Sequence, residues 1–148
     1  MTECKYEKYL VQNPLYTGNR EGKGFTNPAL SYLNNELVPG CNVYIDYRWF
    51  YQTPEPNSLI PKHAHDFDEI VLHIGSDPEK PEYLGGELEV EVENEILKFN
   101  RTSALYLPKG TKHGPFTWKK VEKPHIQIAI ILGAGTVATA KPGGRTIE

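Results

Sequence analysis

Apolar and polar residues alternate along much of the chain from residue 43 onward. The clearest run is Glu87-Leu-Glu-Val-Glu-Val-Glu93, in which every second residue is Leu or Val. Because successive side chains on a strand point to opposite faces, this run predicts a half-buried strand whose glutamates face water. Residues 43–51 are rich in aromatic and β-branched side chains and predict another strand. Further strands are predicted at residues 69–74, 94–99, 104–107, 114–118 and 125–132.

The two ends of the chain lack this alternation. Residues 1–40 are interrupted by Gly and Pro turns, and we expect an irregular arm that lies over the rest of the molecule or over a partner subunit. Within them, residues 28–37 could form a turn or two of helix. Residues 133–148 are Gly- and Pro-rich and predict a frayed tail. The pattern indicates an all-β chain with an N-terminal arm (1–41), a series of strands at barrel-like spacing (42–132) and this tail.

Composition narrows the class of protein. The 148 residues suffice for one core but not for two. The net charge of −3, with acids and bases interspersed, argues against a nucleic-acid partner, which would select a basic face. No apolar run could span a bilayer and the N-terminus is not typical of a secretory signal, so we expect no membrane partner and a cytoplasmic location. Cys4 and Cys41 are then expected to be free thiols.

Four residues suggest a bound metal ion. His63 and His65 are two positions apart, so on an extended chain both imidazoles point the same way. Glu69 follows closely, and His113 comes much later in the chain. Neutral imidazole and carboxylate are ligands that suit Fe, Mn, Ni, Cu and Zn. The other acids of the first segment, Asp66 among them, fit better as solvated loop residues.

The first of these segments resembles the first motif of the cupin superfamily, G-x5-H-x-H-x3,4-E-x6-G. His63, His65 and Glu69 occupy the three ligand positions. The closing glycine, Gly75, comes one position early, and Asn57 stands where the opening glycine would be. Both departures fall on turn positions and leave the ligands intact.

The later segment resembles the second cupin motif, G-x5-P-x-G-x2-H-x3-N. Pro108, Gly110 and His113 match it. Thr102 lies near the place of its first glycine, and Thr117 replaces its final Asn. With all four ligand types in the right order, the chain is identified as a small single-domain member of the cupin superfamily over roughly residues 42–132.

The resemblance implies a fold, an ion and a class of function. The implied fold is a conical antiparallel β-barrel, the jelly roll or double-stranded β-helix. The implied cofactor is one divalent transition metal ion (Fe, Mn, Ni or Zn) held by His63, His65, Glu69 and His113. Two positions of an octahedral ion would remain for water, a small-molecule substrate or dioxygen. We expect a small metalloenzyme acting on a compact oxygen-rich molecule, by dioxygenase, isomerase, lyase or decarboxylase chemistry. The alternative is a non-catalytic metal-dependent binding or sensing protein.

Other residues are candidates for the pocket. His73 shares a strand face with Glu69, so it is either a catalytic group near the ion or a buried imidazole bonded to a neighbouring strand. Arg48 could clamp a substrate carboxylate or be an ordinary surface residue. Phe116 and Trp118 are expected to wall the pocket. The remaining substrate-pocket candidates, which share a face of unknown orientation, are His125 and Gln127.

Two groups of apolar residues predict, respectively, a core face of a strand and a homodimer. Tyr47, Trp49 and Tyr51 share one face of their strand, and we expect that face to belong to the core. The N-terminal arm contains more apolar residues than a free arm should expose. Pairing of arms between subunits would bury them, so we predict a homodimer. These arm residues are Leu10, Val11, Leu15, Tyr16, Phe25, Leu30, Tyr32 and Leu33.

Overall fold

A computed structural model describes residues 4–57 and 60–133 of the protein. In those ranges the secondary structure is ten β-strands and one short 3₁₀ helix, Glu7–Tyr9. The strands are β1 (Leu15–Thr17), β2 (Lys23–Phe25), β3 (Ala29–Leu33), β4 (Val43–Glu55), β5 (Glu69–Gly75), β6 (Tyr83–Val92), β7 (Glu95–Arg101), β8 (Ser103–Leu107), β9 (His113–Val121) and β10 (His125–Leu132).

The strands form two antiparallel sheets that face each other. The larger sheet has seven strands, in the order β1-β3-β4-β10-β5-β8, with β2 also pairing with β4. The smaller sheet has the order β7-β6-β9. Between residues 4 and 133, apart from the two undescribed positions, no ladder of paired strands joins the sheets, so the molecule is a two-sheet jelly roll. The all-β antiparallel jelly roll predicted from the sequence is confirmed.

The core lies between the two sheets. Phe50 on β4 stacks on Trp118 of β9, with ring centroids 4.1 Å apart. Leu84 and Leu88 of β6 pack into the same cluster and are almost fully buried. Since β6 also carries the alternating glutamates, the structure confirms that its Leu and Val side chains point inward, with Glu87 exposed. Burial of these apolar side chains provides the main force that holds the sheets together.

The inward face of the large sheet is unexpectedly polar. Pairing of β4 with β10 and of β10 with β5 aligns inward side chains in rows across three strands. One row consists of Arg48, Gln127 and His73, and we call it the polar row. The next row toward Glu69 begins with Asp46. These side chains lie between the sheets because they alternate with residues that point the other way.

The outward face of the same three strands is apolar. It consists of partly exposed large side chains, and we call it the apolar outer face. Tyr47 and Trp49 belong to it, and Tyr51 beyond them is 53% exposed. The expectation that these three aromatic residues form the core was wrong, because the inward positions of β4 are those of opposite parity. The apolar outer face comprises Ile45, Tyr47, Trp49, Ile70, Leu72, Ile74, Ile126, Ile128 and Ile130.

Sequence reasoning missed regular structure in the N-terminal segment. Residues 15–33 contribute β1, β2 and β3, which extend the large sheet beyond β4. The helix expected within residues 28–37 is wrong, since Ala29–Leu33 is a strand. These strands are three to five residues long, too short for alternation to be read from the sequence.

The sequence also led to expectations about the C-terminal tail, membrane-spanning segments and the two cysteines. Residues 134–148 of the predicted tail lie outside the described residues. No helix among the described residues has the length and apolarity needed to cross a membrane. Cys4 is exposed and Cys41 partly buried, and neither forms a disulfide.

Candidate metal centre and its cavity

The four candidate ligands come from three places in the chain. His63 and His65 lie in the segment before β5, Glu69 is the first residue of β5, and His113 is the first residue of β9. An isolated antiparallel bridge joins His63 to His113, with backbone N–H···O distances of 3.0 and 2.8 Å. The bridge links the two ligand segments, although 50 residues separate them in sequence.

The side chains of these residues converge. Their nearest donor atoms all lie within 4.8 Å of one another. The Glu69 Oε2 atom is 3.2 Å from His65 Nε2 and 3.0 Å from His113 Nε2. The ring centroids of His63 and His113 are 4.4 Å apart. The structure thus brings together all four residues that the two sequence segments suggested.

Buried polar atoms in this cluster indicate what could fill it. His65 Nε2, His113 Nε2 and Glu69 Oε2 are buried and have no hydrogen-bond partner, although Glu69 Oε2 lies within 3.2 Å of both nitrogens. Buried polar atoms without partners cost free energy. One ion at their common centre would satisfy all three, and the donor set of imidazoles and a carboxylate suits a divalent transition metal. The residues therefore fit a metal ion.

Two imidazoles are held in the orientation that coordination requires. His63 Nδ1 is 2.8 Å from the Pro61 carbonyl oxygen, and His113 Nδ1 is 2.9 Å from the Thr111 carbonyl oxygen. Each Nδ1–H can donate to its carbonyl, which leaves the Nε2 lone pair directed into the cluster. A hydrogen bond of this kind fixes the tautomer and the ring orientation of a metal-binding histidine.

Electrostatics favours the metal-binding protonation state for His63 and Glu69 but not for His113. Burial lowers the pKa of His63, which keeps its imidazole neutral near pH 7. Burial alone would raise the pKa of Glu69, but its contacts with His113 and His65 outweigh burial and lower the pKa to about 2. The Glu69 carboxylate also raises the pKa of His113 against the effect of burial. In the absence of a metal, a proton on His113 can therefore partly replace the missing positive charge.

A cavity of about 70 Å³ opens beside the cluster. His63, Glu69 and His113 form one side of it. The rest of the lining includes charged and polar side chains from the large sheet, and the walls are mostly apolar. The lining residues outside the cluster are Arg20, Ala29, Asp46, Arg48, Ile60, Val71, Gly114, Phe116, Gln127 and Ala129.

Arg48 is buried inside the molecule, so the alternative of an ordinary surface residue was wrong. Its side chain is 7% exposed and its guanidinium lies 5.2 Å from the centroid of the Phe25 ring. Nη1 donates to the Thr26 carbonyl oxygen at 3.1 Å, and Nη2 donates to the Gly18 carbonyl oxygen. Both carbonyls belong to the N-terminal segment, which thereby fixes a positive charge at the cavity.

His73 lies behind the cavity and is not part of its lining. It is 1% exposed, and its Nε2 is 2.9 Å from Gln127 Nε2, so the ring nitrogen accepts and the amide donates. Burial, assisted by the neighbouring His125, lowers the pKa of His73 to about 3. His73 points inward, as its shared face with Glu69 predicts, but Gln127 is the member of this pair that lines the cavity.

The last two pocket candidates have different positions. Phe116 lines the cavity, whereas Trp118 lines a smaller void of about 20 Å³ next to it. His125 lines neither of them. It is fully buried, and its Nε2 accepts a hydrogen bond from Trp118 Nε1 at 3.0 Å. Burial lowers the pKa of His125.

Sequence reasoning missed two charged residues at the cavity. Asp46 shares the inward face of β4 with Arg48, and this alternation was the signal that could have identified it. Arg20 lies in the unpatterned N-terminal segment, where the sequence offered no signal. Asp66 is exposed and outside the cluster, whereas Asp68 accepts hydrogen bonds from Tyr106 Oη and from the Lys109 backbone N–H.

Comparisons with known proteins establish the fold. No protein-family model and no curated protein sequence matches the chain. Among solved structures, a cupin-2 domain from Rhodospirillum rubrum aligns with a TM-score of 0.52 and 9% identity, over 84% of this chain and 71% of that one. A cupin protein from Bacteroides fragilis aligns with a TM-score of 0.50 and 10% identity, over 93% and 97%. The chain has the cupin fold. An oxalate oxidase in complex with the substrate analogue glycolate is also similar, with a TM-score of 0.51, 15% identity and coverage of 76% of this chain.

These alignments confirm the fold that the two motifs predicted. The chain spans about half of the oxalate oxidase, of which 52% is covered. In this protein the early closing glycine of the first motif has a structural role, because a Cβ atom on Gly75 would lie 1.9 Å from the Tyr83 carbonyl oxygen. Only glycine permits such a close approach of the β5 end to β6. The shifted position therefore preserves the crossing between the sheets.

Proposed function

We propose that this cupin is a small metalloenzyme that acts on a compact, oxygen-rich small molecule. One divalent transition metal ion would be held by His63, His65, Glu69 and His113. The observation that carries the proposal is the group of three buried donor atoms without hydrogen-bond partners, directed at one point beside a cavity. When bound, such an ion acts as a Lewis acid or binds substrate directly.

The surrounding residues support binding of a small molecule beside the ion. The walls of the cavity, including Ile60, Val71 and Phe116, exclude water from much of its surface. Arg48 supplies charge in the polar row, and Asp46 supplies charge in the row between it and Glu69. Concave, mostly apolar sites with a few fixed polar groups are typical of small-molecule binding.

A second candidate function is metal-dependent binding or sensing without turnover. The position of His73 favours it, because this imidazole lies behind Gln127 and cannot reach a ligand in the cavity. Among the described lining residues other than the cluster, Asp46 is the one carboxylate. It accepts a hydrogen bond from Tyr44 Oη at 3.1 Å. The Asp46→Asn variant separates the two candidates: an enzyme would lose turnover, and a binding protein would have none to lose.

Metal content tests the shared part of both candidates. The protein should be purified without an affinity tag or added metal, and its metals measured by elemental analysis. We expect about one transition metal ion per chain, and a loss of more than about 100-fold in metal affinity in His65→Ala. Asp66→Ala is the matched control, since Asp66 is an exposed neighbour outside the cluster. Equal metal content in wild type and His65→Ala would refute the metal centre.

We also propose that the protein forms a homodimer through the apolar outer face. The large sheet has six strands along its main path. At about 4.8 Å between strands and about 3.3 Å per residue, the whole outward side of these six strands is roughly 600 Å², and the three strands of the apolar outer face form its centre. This area approaches the roughly 800 Å² that each partner buries in a stable interface. It also equals the area of the largest apolar patches that monomers expose.

The N-terminal residues that predict a dimer support the same surface. Tyr16 pairs with Leu30, and Leu30 pairs with Tyr47, so these side chains continue the outer face across β3 to β1. Tyr32 stacks on Tyr47 with ring centroids 6.0 Å apart. A second copy suits this surface because it would supply an equally flat and uncharged face. Phe25, in contrast, is buried within the subunit.

A further inference from the structure

The turn at residues 108–111, which we call the ligand turn, determines how His113 is presented to the cluster. It is closed by a hydrogen bond from the Thr111 N–H to the Pro108 carbonyl oxygen at 3.1 Å. Gly110, at its third position, has the positive φ of 81° that a type II turn requires. The Thr111 carbonyl oxygen is the group that His113 Nδ1 contacts at 2.9 Å. The imidazole therefore keeps its orientation only while the ligand turn keeps its position.

Two hydrogen bonds hold the ligand turn against the segment that carries the other ligands. The Gly110 N–H donates to the His65 carbonyl oxygen at 2.8 Å. The Lys109 N–H donates to Asp68 Oδ1, also at 2.8 Å. The first bond uses only backbone atoms, so almost any residue at these positions could form it. The second bond needs a side chain, and Asp68 is not one of the four candidate ligands.

Asp68 is itself fixed by the large sheet. Its Oδ2 accepts a hydrogen bond from Tyr106 Oη, and Tyr106 lies opposite Ile70 where β8 pairs with β5. The Asp68 backbone carbonyl accepts from the Leu132 N–H at 2.9 Å, at the end of β10. The backbone and both carboxylate oxygens of Asp68 are therefore engaged at once. This leaves the carboxylate in one position, from which it holds the Lys109 N–H.

We propose that Asp68 is a positioning residue of the metal centre, which acts through the ligand turn on the orientation of the His113 imidazole. The inference rests on the proposed metal centre, because it assigns His113 as a ligand. Groups that orient a metal-binding histidine change metal affinity by about 10- to 100-fold when they are removed. Asp68 acts one step further from the ion than the Thr111 carbonyl does, so we expect an effect of about tenfold.

His63 provides an internal comparison within the same cluster. Its Nδ1 lies 2.8 Å from the carbonyl oxygen of Pro61, which is outside the ligand turn. Loss of the Asp68 side chain should therefore leave the His63 ring in place while it releases the His113 ring. The two histidines separate a local effect on the ligand turn from a general disturbance of the cluster.

The first experiment observes the Nδ1 protons of the two histidines by NMR in zinc-loaded protein. A proton that is held by a carbonyl group exchanges slowly enough with water to give a signal. We expect signals from both His63 and His113 in wild type. In Asp68→Ala the His113 signal should be lost and the His63 signal should persist. Retention of both signals, or loss of both, would overturn the inference.

The second experiment measures zinc affinity by competition with a chromophoric chelator. We expect Asp68→Ala to bind zinc about tenfold more weakly than wild type. Asp68→Asn should recover most of the affinity, because its amide oxygen can still accept from the Lys109 N–H. Tyr106→Phe should fall between wild type and Asp68→Ala, because it frees the carboxylate on one side only. An Asp68→Asn variant as weak as Asp68→Ala would contradict the hydrogen-bond argument.

The matched control for charge is Asp66→Ala. It removes a carboxylate from the same segment without touching the ligand turn, and it should leave zinc affinity and both proton signals unchanged. A loss equal to that of Asp68→Ala would mean that charge, and not position, is responsible. Wild-type protein that takes up no zinc would refute the metal centre and this inference with it. Zinc-loaded wild type with both signals, matched by Asp68→Ala, would refute only the role of Asp68.

Discussion

The two faces of the large sheet reverse the usual distribution of polarity. Facing the small sheet are Asp46, Arg48, Glu69 and other ionisable or amide side chains, whereas the outward positions of the same strands are aliphatic or aromatic. Soluble proteins usually bury apolar side chains and expose polar ones. The proposed binding site would account for the polar inward face. The proposed dimer would account for the apolar outward face.

Neighbouring isoleucines on β10 provide the strongest test of this comparison. Ile131 points inward, is fully buried and packs on Tyr44, whereas Ile130 points outward. We expect Ile131→Ala to lower the free energy of unfolding by about 2–5 kcal/mol, because it leaves a cavity. Ile130→Ala should cost about 1 kcal/mol or less in the monomer. Urea denaturation at low protein concentration measures both, and equal losses would contradict the assignment of the faces.

A charge on the outer face should prevent association without unfolding the subunit. Ile128 lies at the centre of the apolar outer face, between Tyr47 and Leu72. We expect Ile128→Lys to weaken the dimer by at least about 100-fold, since two lysines would be brought into one apolar interface. Light scattering at micromolar concentration should show a dimer for wild type and a monomer for the variant. Ile96→Lys is the control, because Ile96 is 56% exposed on the small sheet. A wild-type monomer would refute the dimer.

Acid should destabilise the fold through the buried histidine of the polar row. The folded-state pKa of His73 is lowered to about 3, so below pH 6.5 the unfolded chain takes up a proton that the folded chain does not. The contribution of His73 to the free energy of unfolding is therefore fully present above pH 6.5. It is lost as the pH falls from 6.5 toward 3. The slope is up to about 1.4 kcal/mol per pH unit. In chelator, His73→Leu should show a shallower decline between pH 6.5 and 5 than wild type, and parallel curves would contradict the depressed pKa.

Fluorescence of the two tryptophans should give the smallest but most local signal. Trp49 lies on the apolar outer face, and Trp118 is 3% exposed in the core. In Trp118→Phe, emission from Trp49 should shift to the red on dilution, as the dimer dissociates and water reaches the ring. In Trp49→Phe, emission from Trp118 should not change on dilution. A shift of equal size in both variants would mean that dilution unfolds the subunit.

The sequence predicted the parts of this molecule that depend on local periodicity or on paired motifs. The alternation at Glu87–Glu93 identified β6 because one face of that strand is wet and the other is in the core. The two histidine-containing segments could be assigned to one cluster because their spacings matched a known pair of motifs. The convergence of His63 and His113 follows from strand pairing, which sequence spacing alone does not show.

Other features depend on which face of a strand meets the small sheet. Residues 43–51 contain aromatic side chains on both faces, so hydrophobicity could not indicate which face is inward. The structure places Tyr44 and Phe50 inward and Trp49 outward. For the same reason the alternatives for Arg48 and His125 could not be decided, since each was compatible with the pocket and with the surface. Sheet pairing over long sequence distances decides these questions.

The position of β10 has a consequence for the order of folding during synthesis. This strand comes last among those described, yet it lies at the middle of the large sheet and pairs with both β4 and β5. Until residues 125–132 have left the ribosome, β4 and β5 each present an edge of unpaired backbone groups. Such edges pair readily with other chains. The nascent chain therefore remains exposed to misassembly until almost all of the described residues have emerged, and a stall before residue 125 would favour aggregation.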